Sequence, residues 1–376
     1  MRRFSTIITF VLMFVILTIS VSAQTAKVWY ERGTTAYKNK DYRSAIQNYQ
    51  RAIAIDPNVA APYYWMGNSY YHLRQYQNAI TAYRNAVRNR PTYYLAHYFM
   101  GAAYYELKNY PKAVISYRNS IRIKPDFYRG LVFLGNALDY SKRPNEAIES
   151  YKRAINVAPN KALAYKELGV AYYSTRNYKG AERSLLKANS INSRNPLSYK
   201  YLGLTYVKLR RYSAATTAFK ESLRLKPSSP RVLKELGSLY IRFKKYTVAL
   251  TYFSRALRIS PNYADAHLGL GNAYYNTRRY RESLKHYETV TNLRPRSTIA
   301  FSYLGDNHYA LREYDKAIAS YKRAIFLNSS HALSYYGLGR TYLRLGKKTN
   351  ARTQYSKLVA LGSKLAPRLL AQINRR

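Results

Sequence analysis

The chain has 376 residues, 63 Lys and Arg against 18 Asp and Glu, a formal net charge of +45, and no cysteine. The missing cysteines exclude disulfides, thiolate catalysis, cysteine-held metals and lipid attachment at a thiol. The charge says nothing about fold, but a field of that size attracts anions and repels copies of the same chain.

The first 23 residues read as a separate segment. Arg2 and Arg3 precede an apolar stretch from Ile7 to Val21, and small residues lead up to Ala23. Those are the parts of a secretory signal peptide over residues 1–23, cut to leave Gln24 at the mature start. The alternative is an uncleaved N-terminal membrane anchor over residues 4–21. No charge falls between Phe4 and Ala26, and that run is just long enough to span a bilayer. Lys27, Arg32, Lys38, Lys40 and Arg43 outnumber the two leading arginines, so an anchored chain can lie on either side. The expectation is export to a bacterial periplasm or cell envelope, with inner-membrane anchoring as the alternative. An extended chain without disulfides suits that compartment.

From Ala26 to residue 365 the sequence repeats every 34 residues, ten times, without insertion or deletion. Counting each repeat from Ala26, Ala60, Tyr94 and so on, position 8 is always glycine, from Gly33 and Gly67 to Gly339. Position 20 is alanine in nine repeats, with Ser283 the exception, and position 24 is aromatic except at Leu185. Position 32 is proline in seven repeats, among them Pro57, Pro91 and Pro125. Apolar residues fall three and four apart, as in Tyr63, Met66, Tyr70 and then Ala79, Tyr83, Ala86, which places them on one face of each of two helices. Each repeat is therefore predicted to be two helices of about four turns, the second closed by the proline. A mid-helix glycine costs about 1 kcal/mol relative to alanine, so ten of them imply close packing against the ring at position 24. One hairpin cannot bury its faces alone, and successive hairpins stack into a continuous core.

These residues resemble the tetratricopeptide repeat family, whose pattern places aromatic, Leu-Gly, Tyr, Ala, aromatic, Ala and Pro at the same offsets. The resemblance implies an all-α, right-handed superhelical solenoid of antiparallel helix pairs, with a concave channel lined by first helices. It implies a protein-interaction scaffold and leaves the ligand open. Residues 366–376 follow the array, and their apolar stripe Leu369, Leu370 and Ile373 is expected to cap the last hairpin. The 25 residues before the array and 11 after it are too few for another core.

Without Arg2 and Arg3 the charge falls from +45 to +43, spread over all ten repeats. Much of it lies late in the second helices: Arg84, Arg88, Arg90, Arg118, Arg122, Lys124, Lys220, Arg224, Lys226, Arg255 and Arg258. Cations there complement the helix dipole by about 0.3–1 kcal/mol each. That accounts for some of them, and they also form a candidate anion-binding surface.

By the family resemblance, the channel is lined from positions 2, 5, 9, 12 and 13. The candidate partner-binding residues are Tyr30, Tyr64, Asn68, Tyr71, Tyr98, Tyr105, Asn136, Lys166, Tyr173, Lys200, Lys234, Asn272, Tyr275, Tyr309, Tyr336 and Arg340. Phenols give broad contact and a hydrogen bond at low entropy cost, and the Lys166, Lys200, Lys234 ladder suits acidic side chains. The family's two-carboxylate clamp needs an asparagine four residues after the lysine, whereas Val170, Leu204 and Ser238 follow here.

No catalytic, metal or cofactor site is expected. The six histidines, at 72, 97, 267, 286, 308 and 331, lack metal-ligand spacing with a carboxylate. Gly269-Leu270-Gly271 and Gly337-Leu338-Gly339 have no preceding strand and are not phosphate loops. The function expected is a non-enzymatic scaffold for an acidic or extended peptide-like protein partner. The alternative is adhesion to anionic polymers or membrane headgroups. Nucleic acid comes third because it requires the cytoplasmic orientation. The sequence leaves the oligomeric state open.

Overall fold

The computed structural model describes residues 24–375, and the export or anchor segment 1–23 lies outside them. Every regular element among the described residues is an α-helix. No helix there is long and apolar enough to cross a membrane. The chain forms two compact units, up to Ser193 and from Arg194 onward.

The helices follow the 34-residue frame residue by residue. First helices of 13 residues occupy positions 1–13, as in Ala60–His72, Tyr94–Glu106 and Ala264–Asn276. Second helices of 14 residues occupy positions 17–30, as in Tyr42–Ile55, Tyr76–Asn89 and Tyr246–Ile259. In the first nine repeats the second helix ends two residues before position 32, so the proline, where present, stands just past the stop. Within each unit the hairpins stack into an all-α solenoid.

The core explains the glycines. In eight repeats the position-24 ring packs against the position-8 glycine of the same repeat: a Cβ on Gly67 would stand 2.6 Å from Tyr83 Cε1. Phe253 and Tyr321 are covered on the other side by Gly269 and Gly337 of the following repeat. Alanine at position 20, for example Ala45, Ala79 and Ala113, is fully buried beneath. Repeat ten ends differently. The final helix Ala366–Asn374 buries Leu369 and Ile373 completely, and Leu369, in place of a position-24 ring, lies against Gly339.

The turn joining the two helices of a repeat is a Schellman closure. In repeat two, Arg74 N–H donates to Tyr71 O and Gln75 N–H to Tyr70 O, both at 2.9 Å. That motif puts position 15 in the left-handed region, where glycine is the least costly residue. Here it holds Lys40, Arg74, Lys108, Lys142, Arg176, Arg210, Lys244, Arg278 and Arg312, with φ between 57° and 63°, and glycine only at Gly346. A left-handed non-glycine residue costs on the order of 1 kcal/mol.

Position 16 then caps the second helix. Asp41, Asn109 and Asn177 accept from the backbone N–H groups of Ser44, Lys112 and Gly180. In five other repeats that position is Arg143, Arg211, Lys245, Arg279 or Lys347, and no side-chain cap forms. A cation at a helix N-terminus also opposes the dipole.

Candidate interaction surfaces

The first helices present their tyrosines in a recurring arrangement. The position-12 ring meets a tyrosine at position 17 in six repeats, edge-on in Tyr37–Tyr42, Tyr71–Tyr76, Tyr105–Tyr110, Tyr275–Tyr280 and Tyr309–Tyr314 and tilted in Tyr173–Tyr178, with centroids 5.3–5.8 Å apart. In three repeats the position-17 ring then takes position 13 of the next repeat on its face. Tyr42 stacks on His72 at 4.7 Å, Tyr110 stacks on Tyr140 at 4.9 Å, and the Arg242 guanidinium lies 4.1 Å over Tyr212. Position 13 is the open edge of this arrangement, and Tyr140 is 59% exposed. The position-17 tyrosines carry a signal the sequence offers plainly, since they recur in eight of the ten repeats, with Pro144 and Lys348 the exceptions.

Burial pushes the hydroxyls of Tyr37, Tyr71 and Tyr275 up to about 12, so they remain neutral donors at physiological pH. Tyr309 goes the other way. Burial raises it, but hydrogen bonds and charge from Arg344 and Arg340 more than reverse the effect. Arg344 Nε donates to the Tyr309 hydroxyl at 3.1 Å, and Arg340 lies 4.6 Å over its ring. These groups, with Gln372 and Arg375, line a hollow of about 270 Å³ in the second unit. In the first unit a larger hollow of about 680 Å³ is lined by Tyr98, Tyr128, Phe133, Lys161 and Leu163 among others.

The other candidate residues are more enclosed than a lining surface requires. Tyr64 and Tyr98 are buried among neighbouring rings, and Tyr30 packs on Tyr49 with centroids 6.0 Å apart. Asn68, Asn136 and Asn272 each accept the position-24 hydroxyl of their own repeat, from Tyr83, Tyr151 and Tyr287, at 2.7 Å. The lysine ladder is largely neutralised. Lys166 is buried and paired with Glu167 at 2.5 Å, and Lys234 is paired with Glu235 at 2.7 Å. Lys200 lies 4.6 Å over the Tyr201 ring, its ammonium pushed down by burial and by the charges of Arg231 and Lys226. Tyr336 accepts from Gln372 Nε2 at 3.0 Å, which ties it to the terminal helix.

The second-helix cations stand mostly in solvent. Arg84, Arg88, Arg90, Arg122, Lys220, Lys226 and Arg258 are exposed, Lys124 and Arg255 half-buried. Arg118 pairs with Glu146 at 2.7 Å and Arg224 with Glu221 at 2.6 Å. Of the histidines, His97 and His267 meet the carbonyls of Pro91 and Pro261, and His267 Nδ1 stands 3.0 Å from His286 Nδ1. Among the described residues no three His, Asp or Glu side chains converge as a metal site.

A family profile for the cilia and flagella-associated protein 70 C-terminal domain matches residues 94–300, more than half of the chain. Two repeat profiles match at either side, one described as TPR repeat at 33–74 and 67–108 and one as tetratricopeptide repeat at 304–366. No curated protein matches the sequence. Among solved structures, a tetratricopeptide repeat protein from Parabacteroides merdae is 20% identical, with TM-score 0.52 over 65% of this chain and 98% of its own. The Cut9–Hcn1 hetero-tetramer of the APC/C is 12% identical, with TM-score 0.50 over 95% and 98%. PilF from Pseudomonas aeruginosa is 20% identical, with TM-score 0.50 over 55% and 94%. At these identities the likeness is one of fold.

Proposed function

The chain belongs to the tetratricopeptide repeat family, a fold of interaction scaffolds, and from that premise we propose that it binds an extended peptide segment of a protein partner on its first-helix surfaces. The observation that carries this reading is the position-12 and position-17 tyrosine pair, repeated in six hairpins, with His72 and Tyr140 at position 13 of the next repeat stacked on Tyr42 and Tyr110. Rings held edge-on by neighbours offer flat apolar area and fixed hydroxyls with little entropy left to lose on binding. A 34-residue spacing of such pairs fits a ligand that is itself extended and passes several hairpins in turn.

The partner is acidic in this reading, and the groups that select it are not the ladder. Lys166 and Lys234 already hold glutamates, and the cations left for a ligand include Lys200, Arg242, Arg340 and Arg344. The reading includes export to the cell envelope by cleavage after Ala23. The test is titration of acidic and neutral extended peptides against the protein by fluorescence polarisation. Tyr140→Ala with Arg242→Ala should weaken the acidic peptides by about tenfold or more, as expected when central aromatic and arginine anchors are removed. Undiminished binding sinks the proposal. Intact mass from fractionated cells, starting at Gln24 or at Met1, decides the compartment.

A further inference from the structure

The hairpin tips carry cations in the two places where the fold disfavours them. Position 15 requires a left-handed residue and holds Lys or Arg in nine of ten turns. Position 16 needs an oxygen to cap the following helix, and in repeats six, seven and eight it is Arg211, Lys245 or Arg279. The first choice meets backbone strain; the second forgoes a cap and opposes the dipole, an ion pair such as Arg279–Glu282 at 2.9 Å offsetting only part of that. This separates the tips from the second-helix ends, where the same residue types assist the helix. Among the described residues none of the position-15 cations has an ion-pair partner, and Lys244 and Lys245 are both exposed.

The residue just before these cations points to the occupant. Position 14 is Leu73, Leu107, Leu209, Phe243, Leu311 or Leu345 in six turns, with Leu107 45% and Phe243 37% exposed. An apolar tip followed at once by a base is what a surface needs to seat in the boundary between headgroups and acyl chains. A dissolved polyanion has no use for exposed leucine, and a nucleic-acid strand would ask for stacking rings, which position 14 offers only at Phe243. We infer that the turn edge of the solenoid docks on an anionic lipid bilayer, its tips contributing one apolar residue and one or two cations each.

The constant 34-residue register keeps the tips of successive hairpins on one edge within each unit, opposite the proline-bearing loops. The edge at positions 14–16 borders the tyrosine surface at positions 13 and 17, and vesicles and peptides test the two separately.

The experiment is sedimentation of the full chain with phosphatidylcholine vesicles, with and without phosphatidylglycerol. The difference between the two vesicles is the readout, so any share of residues 4–21 in binding cancels. The edge variant is Arg210→Gly, Lys244→Gly, Arg278→Gly and Arg312→Gly, which should melt no lower than the parent because glycine suits that backbone. Its partition on anionic vesicles should drop roughly 100-fold or more, four surface cations being removed. A control lacking Arg84, Arg88, Lys220 and Arg258 through Gln substitutions should keep most of its binding. Phe243→Ser with Leu107→Ser should weaken partition at unchanged charge. The proposal is overturned if the parent prefers neither vesicle, if the edge variant binds as the parent does, or if the control loses as much. It is also overturned if the serine variant binds unchanged, which would mark the edge as a site for dissolved polyanions.

Discussion

The Tyr83 hydroxyl donates to Asn68 Oδ1 at 2.7 Å, and this link between positions 24 and 9 returns as Tyr151–Asn136, Tyr287–Asn272 and Tyr321–Asp306. Where position 9 is Leu204 the ring opposite is Phe219. Where it is Ser238, whose hydroxyl turns back to Lys234 O, the ring is Phe253. Repeat three breaks the rule, since Ala102 stands at position 9 and the buried Tyr117 hydroxyl finds no partner among the described residues. The same substitution should therefore have opposite effects in two repeats. Tyr83→Phe should destabilise by about 1–2 kcal/mol by leaving a buried amide oxygen unpaired, while Tyr117→Phe should be neutral or stabilising. Denaturant unfolding of both variants measures the contrast.

Asp306 stands where three other repeats have asparagine. Burial raises its carboxyl, and the Tyr321 hydroxyl and the Arg340 charge offset that only in part. The folded chain thus keeps the proton to higher pH than the unfolded chain, whose value is near 4, and stability falls as pH rises through that interval. Asp306→Asn offers Tyr321 the same acceptor without the charge. It should raise stability at pH 7, and the gain should vanish at acid pH where both states are protonated.

His286 has the reverse sign. Burial, then the neighbouring His267 and Lys285, push it down to about 4. The unfolded chain takes up that proton near 6.5, so stability should decline as pH falls from about 6.5 toward 4. His286→Gln should flatten that part of the profile, as read from unfolding curves at pH 7 and pH 5.

Gly67→Ala tests the glycine period. Alanine is the better helix former by about 1 kcal/mol, yet its Cβ overlaps the Tyr83 ring, and forcing the ring aside costs about 1–3 kcal/mol. The variant should be destabilised. Gly169→Ala should be destabilised too, because the new Cβ meets Leu185 Cγ at 2.6 Å and its backbone nitrogen at 3.3 Å, which cannot swing aside.

Sequence alone discloses the helices here because the signals recur through ten repeats in one register, and one turn type then reproduces the boundaries through the array. The surface was harder to read. Positions 9 and 24 vary together in the sequence, but assigning position 9 to a ligand surface hid the hydrogen bond behind it. Adjacent residues on a helix do not face each other, so nothing in their spacing announces that Lys166 reaches Glu167 or Lys234 reaches Glu235. The strain at position 15 is invisible for another reason: a lysine or arginine gives no sign of a left-handed backbone, and glycine appears there only at Gly346.

The peptide-binding account stands or falls most directly on site-specific photo-crosslinking in cells. A benzophenone side chain would replace Tyr140, on the tyrosine surface, or Phe326, which is 77% exposed on a second helix. The account predicts a discrete crosslinked protein partner from position 140 and none from position 326. Crosslinks from 326 alone, or equally from both, would contradict it.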